Sequence, residues 1–149
     1  MKFILLLLPC LFLLSCSDES NSPYEHMDIN PLFGKWRMVS YADNKQIPFD
    51  VTIELKSERN SSGHHMITGK SPLNFYFSTF DIDDTKNLIT VYDIQSTKIG
   101  GGTLSVSFER NYYELLTKIK NYEISNNGET LKLILPVVEN QHITYKLTQ

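Results

Sequence analysis

Only one stretch of this chain repeats its apolar residues at helical spacing. Phe108, Tyr112, Leu115, Leu116, Ile119 and Tyr122 fall at i, i+4, i+7, i+8, i+11 and i+14, which places them on one face of a helix. The spacing predicts a helix over about 107–121. Ser107 is positioned to cap its N-terminus, Glu109 lies in its first turn, and Lys118 and Lys120 suit the other end of the helix dipole. A lone helix of this length is marginal in water, so its apolar face must be buried by something else. Most of the chain from Gly34 onward outside this stretch alternates with a period of two. The order is strands, one helix, then strands, and a doubly wound parallel sheet needs a regular βαβ alternation that is missing. The expected class is therefore α+β, mostly β: a curved antiparallel sheet, a partial barrel, packed around one main helix.

The strand signals are distributed on both sides of the helix. Trp36, Met38 and Ser40 alternate with Arg37, Val39 and Tyr41, and Val51, Ile53 and Leu55 alternate with Thr52, Glu54 and Lys56. Residues 64–70, 73–80 and 87–97 read as three further β stretches. In the last of them Ile89 and Val91 oppose Leu88, Tyr92 and Ile94. Gly100-Gly101-Gly102 breaks the pattern before the helix. After it, Tyr122-Glu123-Ile124 leads into Asn126-Asn127-Gly128, a hairpin signal. Leu131, Leu133 and Leu135 alternate on the return, and Ile143, Tyr145 and Leu147 close the chain.

The first residues belong to a different kind of segment. Met1-Lys2 is followed by twelve mostly apolar residues containing Pro9, too short for a membrane span of roughly 20 residues and of the length of a secretory signal. The run ends Leu13-Leu14-Ser15-Cys16, which resembles the lipobox of bacterial lipoproteins. There the Cys sulfur takes a diacylglycerol and, after cleavage, the new amino group is acylated. Cys16 is the expected lipidation site. Two or more acyl chains make a stable anchor. Cleavage removes the other cysteine, Cys10, so the mature chain keeps no pair for a disulfide and no free thiol. The expected organisation is a signal peptide at 1–15, a polar lipid-anchored tether at 16–30 and a single domain at 31–149. Removing 1–15 leaves 13 basic against 17 acidic side chains, a formal charge of −4. That balance shows no basic stripe of the kind a nucleic-acid protein carries. Ser17 after the Cys resembles the sorting pattern of outer-membrane lipoproteins, so the expected location is the cell envelope, with a lipid anchor in the outer membrane. Asp18-Glu19 also resembles a surface-export signal, although a solvated acidic linker is the better reading of the pair.

Over about residues 32–148 the chain resembles the META domain, also called the HslJ-like family. The resemblance is carried by Trp36 with Val39 and Ser40, by Gly69 followed by Asn74 and Tyr76, and by Ser96-Thr97-Lys98. It continues through Glu109 to Leu116 and through the segments around Tyr122-Glu123-Ile124 and Leu131-Lys132-Leu133. It implies structural roles for Trp36, Gly69, Asn74, Thr97 and Glu109, and a curved antiparallel sheet around a helix. It also implies kinship with envelope lipoproteins, some linked to heat shock or antibiotic resistance, and it brings no catalytic mechanism with it. Many members carry a Cys beside the Asn and another near the Thr segment. Here Leu73 stands beside Asn74 and no Cys follows Thr97.

A search for chemistry finds little. His26, His64, His65 and His142 lack metal-ligand spacing, and His64-His65, beside a turn-rich loop, reads as a solvated pair. Asp81, Asp83 and Asp84 lack the calcium-loop pattern. The triple glycine lacks the following Lys of a phosphate loop, and no nucleophile elbow is present. No metal and no cofactor is expected. Phe75, Phe77, Tyr112, Tyr113 and Tyr122 read as core rather than as the lining of a groove. Asn74 and Thr97 read as sheet braces. The expected function is a non-enzymatic, lipid-anchored envelope protein, acting in stress tolerance or as an interaction module, with the membrane and an unidentified protein as partners. The alternative is a lipocalin-like carrier of a small apolar ligand, since Gly34-Lys35-Trp36 also matches the opening of those barrels. Such a barrel places its helix after eight strands, whereas here about two strands follow the helix. A hydrolase is the third and weakest reading.

Overall fold

The computed structural model describes residues 30–41, 45–136 and 141–148. The signal, Cys16 and most of the tether lie outside the described residues. Ten strands and one helix follow in the order β1 (Gly34–Tyr41), β2 (Lys45–Gln46), β3 (Thr52–Arg59), β4 (His65–Lys70), β5 (Phe75–Asp83), β6 (Leu88–Val91), β7 (Gln95–Ser96), α1 (Thr103–Lys118), β8 (Asn121–Ser125), β9 (Thr130–Ile134) and β10 (His142–Leu147). All pairings among them are antiparallel. The sheet runs β10-β9-β8-β6-β5-β4-β3-β1, and β10 also pairs with β1, so it curls into a ring. The ring is narrow at one joint, where β6 meets β8 through the single register pair Leu88–Asn121. The class is α+β, mostly β, a partial barrel around a helix.

Alternation built the wall. Trp36, Met38 and Ser40 of β1 face in, as do Ile53 and Leu55 of β3, Ile89 and Val91 of β6, and Leu131 and Leu133 of β9. The hairpin between β8 and β9 uses left-handed backbone at Asn126 (φ 54°), Asn127 (φ 54°) and Gly128 (φ 90°), which suits the twist of the flanking strands. The interior is filled by large side chains, including Trp36, Tyr76, Phe80, Tyr112 and Tyr145, together with Leu116 and Ile119 at the C-terminal end of the helical segment.

Four expectations need correction. The helix starts at Thr103, with Gly102 at its N-cap and no side-chain cap, so Ser107 lies inside it and Glu109 is past the first turn. Leu104 and Val106 are exposed and give no apolar-face signal, which is why the periodicity begins only at Phe108. The helix ends at Lys118, and Tyr122 is a buried residue of β8. The single stretch 87–97 splits into β6 and β7, because β5 pairs with β6 along Phe80–Asp83 and with β7 along Tyr76–Phe77. Three strands, not about two, follow the helix.

Candidate functional site

A buried polar cluster is built around Glu109, a helix residue with 8% of its surface exposed. Its carboxyl group receives the Asn74 side-chain amide at 2.6 Å on Oε1 and the Asn74 backbone N–H at 3.1 Å on Oε2. The Ser71 hydroxyl also donates to Oε2, and the Leu73 N–H approaches it at 3.4 Å. Tyr113, one helix turn beyond Glu109, places its hydroxyl 2.8 Å from Ser71 Oγ. On its other side Asn74 accepts from the Ile99 N–H at 2.7 Å and the Thr97 hydroxyl at 2.8 Å, and its amide donates to the Ile99 carbonyl at 3.3 Å. Asn74 thereby uses both donors and both acceptor sites, which also fixes which end of the amide is oxygen. The network ties the β4–β5 turn, the segment after β7 and the helix together. Leu73 lies against Gly101, where an added Cβ would come within 2.4 Å of its side chain. Leu73 therefore makes an apolar contact between the β4–β5 turn and the glycine segment that leads into the helix.

A second polar chain runs through the core. Tyr76 and Tyr112 hydroxyls are 2.7 Å apart, Tyr112 and Tyr145 are 3.1 Å apart, and Tyr76 donates to the Thr52 carbonyl at 3.0 Å. Burial pushes all three phenols well above their ordinary pKa, which keeps them neutral donors. Gly69 makes this chain possible. A Cβ there would meet the Thr52 carbonyl oxygen and the Tyr76 ring, each at 2.4 Å. The ring lies over the glycine and cannot retreat without giving up its bonds. Gly69→Ala is expected to cost about 2–3 kcal/mol through overpacking, read as a lowered urea midpoint at unchanged m-value.

The structure thus brings Asn74, Thr97 and Glu109 into one network, puts Gly69 beneath Tyr76, and sets Trp36 apart in the core. The Trp36 indole donates to the Leu32 carbonyl at 3.0 Å. Sequence reasoning missed Ser71, Tyr113 and the tyrosine chain. No motif marks them, because the side chains that join them, Ser71 with Glu109 and Tyr113, and Tyr112 with Tyr76 and Tyr145, lie 33 or more residues apart.

The histidine reading is half corrected. His64 and His65 are not a solvated pair: His65 is buried between Phe33 and Phe80, with Nδ1–H donating to the Ser57 carbonyl at 2.8 Å. His64 is half-exposed, 3.0 Å from both oxygens of Asp81, which also accepts the Tyr92 hydroxyl at 2.7 Å. The hydrogen bond from His64, then that from Tyr92, holds the Asp81 carboxyl below its ordinary pKa. Asp83 instead engages Thr85 and Lys86, and Asp84 engages Asn30 and Tyr122. Among the described residues no group of three or more His, Cys, Asp or Glu side chains is placed to hold a metal ion. Phe75 and Phe77 are not core. The inward parity of β5 belongs to Tyr76, Ser78 and Phe80, so both Phe rings stand outside.

These features define a small α+β domain, a ring-shaped antiparallel sheet fastened to one helix by a buried carboxyl network. The chain belongs to the META domain family, whose profile matches residues 30–147. It is similar in structure to a protein from Burkholderia xenovorans solved by NMR, at a TM-score of 0.60 and 17% identity, covering 78% of this chain and 82% of that one. It is also similar to the crystal structure of a duf4847 family protein from Bacteroides vulgatus, at a TM-score of 0.51 and 15% identity, covering 76% and 91%. Both likenesses concern the fold. No curated protein matches the chain.

Proposed function

We propose that this is a lipid-anchored protein of the cell envelope, held by Cys16, whose META domain is a rigid, non-catalytic interaction module that serves envelope stress tolerance. The observation that carries the non-catalytic reading is the state of Glu109. Its carboxyl group is turned into the fold and receives four donors there, three on Oε2 and one on Oε1, which commits it to holding the structure together. The same completeness extends to the rest of the described interior, where Thr144 Oγ1 is the buried side-chain atom without a hydrogen-bond partner. The filled barrel counts against the carrier alternative, because the space such a ligand needs is taken by Trp36, Tyr76, Tyr112 and Tyr145. The anchoring is supported by the Leu13-Leu14-Ser15-Cys16 sequence. Among the described residues no helix is long and apolar enough to cross a membrane.

The test is mass spectrometry of the protein extracted from envelopes of expressing cells. The expected product begins at Cys16 and carries diacylglycerol and an N-acyl chain, and Cys16→Ser abolishes the modification. A mature protein that starts elsewhere and carries no lipid sinks the anchoring.

A further inference from the structure

The outer wall of the barrel separates its charges in a way the composition hides. Between residues 30 and 149 the sequence holds 13 basic and 13 acidic side chains, so the domain is neutral overall. Register across β5, β4, β3, β1 and β10 nevertheless aligns Phe75, Lys70, Thr52, Arg37 and Lys146 in one row. The neighbouring row on the same face is Phe77, Thr68, Glu54 and Lys35. Glu54, within the second row, accepts the Thr68 hydroxyl and lines the same groove, and Asp50 pairs with Arg37 at 3.3 Å, while Lys35, Lys70 and Lys146 form no ion pair among the described residues. Asp81, Asp83 and Asp84 lie at the far end of β5 and just beyond it. Phe75 and Phe77 are 63% and 52% exposed, and with Lys35 and Lys70 they border an open groove of about 340 Å³.

Two adjacent exposed phenylalanines beside a row of lysines and arginine form an interfacial pattern. The rings suit the boundary of the acyl region and the cations suit phosphate headgroups. We infer that this wall docks on an anionic lipid surface. The inference rests on the lipid-anchored reading above, which keeps the domain within reach of a bilayer. Three features favour lipid over a peptide. The wall is convex and its strands are paired on both sides at Phe75 and Phe77, so it offers no free edge for strand addition. The chain enters the described domain at Asn30, whose amide donates to Asp84 just beyond the far end of β5, so the anchor starts about one strand length from the two rings. The reach is also sufficient: the 13 residues 17–29 extend at most about 45 Å, whereas β5 spans roughly 26 Å from Phe75 to Asp83.

The experiment uses the chain from residue 16 onward with Cys16→Ser, so that its outcome is independent of lipidation, and co-sedimentation at low salt with phosphatidylglycerol–phosphatidylcholine vesicles. Binding is expected to the mixed vesicles and to be at least about tenfold weaker to pure phosphatidylcholine. The pair Lys35→Glu and Lys70→Glu is expected to weaken binding at least about tenfold, since a single basic residue near an anionic surface contributes roughly fivefold. Phe75→Thr with Phe77→Thr is expected to weaken it by a similar factor. All four positions are exposed, and an unchanged melting temperature checks that the variants fold. No binding to the anionic vesicles, or binding indifferent to both pairs of substitutions, overturns the inference. Binding that appears only after Asp18, Glu19, Glu25 and Asp28 are replaced by their amides overturns it too, and assigns the wall to the chain's own acidic segment.

Discussion

Glu109→Ala is expected to lower the unfolding free energy by about 3–4 kcal/mol, among the largest losses any single substitution in this domain should cause. The reason lies less in the contacts removed than in the donors left behind. The Ser71 hydroxyl, the Asn74 backbone N–H and one Asn74 amide hydrogen all point at the carboxyl oxygens from buried positions. A buried donor left without a partner costs about 1–3 kcal/mol. Water entering the vacated space recovers part of that sum, and the higher helix propensity of alanine returns a few tenths of a kcal/mol more. Glu109→Gln is the sharper variant. It keeps the volume but must turn an NH2 group toward either Asn74 Nδ2 or the Ser71 side, so one donor faces another. An expected cost of about 2 kcal/mol separates the hydrogen-bonding role from packing. Urea denaturation of the two variants checks both numbers. A loss below about 1 kcal/mol for alanine would remove the network from any account of what holds the helix to the sheet.

Trp36→Ala is expected to cost about 3–5 kcal/mol. The indole is fully buried on β1, between the ladders to β3 and β10. Its Nε1–H also holds the Leu32 carbonyl, and Leu32 is itself completely buried. Truncation therefore opens a large void and releases the segment that leads into β1. Trp36→Phe keeps most of the ring and leaves the carbonyl unbonded, and about half the loss is expected. If phenylalanine proves as damaging as alanine, the hydrogen bond to Leu32, and not the packing, is the dominant contribution.

The parts of this fold that could be read from the sequence are those carried by local periodicity. The two faces of β1, with Trp36, Met38 and Ser40 on one of them, those of β3, with Ile53 and Leu55 on one, and the Asn126-Asn127-Gly128 turn are all decided by residues within a few positions of one another. The ring closure is not, because β10 and β1 come from opposite ends of the domain and neither strand signals its partner. Phe75 and Phe77 show the limit most clearly. An alternating run of aromatics specifies two faces, but not which one turns inward. Here Asn74 and Tyr76 decide it, one drawn to Glu109 and the other to Tyr112, both more than 30 residues away. At the buried network the sequence pointed to Asn74, Thr97 and Glu109 by family likeness, while Ser71 and Tyr113 have no local pattern to find.

The closure of the ring also governs how the domain meets a mechanical load. Under the proposed anchoring at Cys16, a load enters the domain through the segment that leads into β1. That strand is held between β3 on one side and β10 on the other. The backbone bonds of antiparallel ladders lie across the strands, so a pull along β1 loads many of them together in shear and does not peel them one at a time. The Thr148 N–H and hydroxyl add two further bonds to the Lys35 carbonyl, at 2.8 and 2.7 Å, close to where the force enters. β1 is thus bonded along both of its edges and again at Lys35, where such a load would arrive.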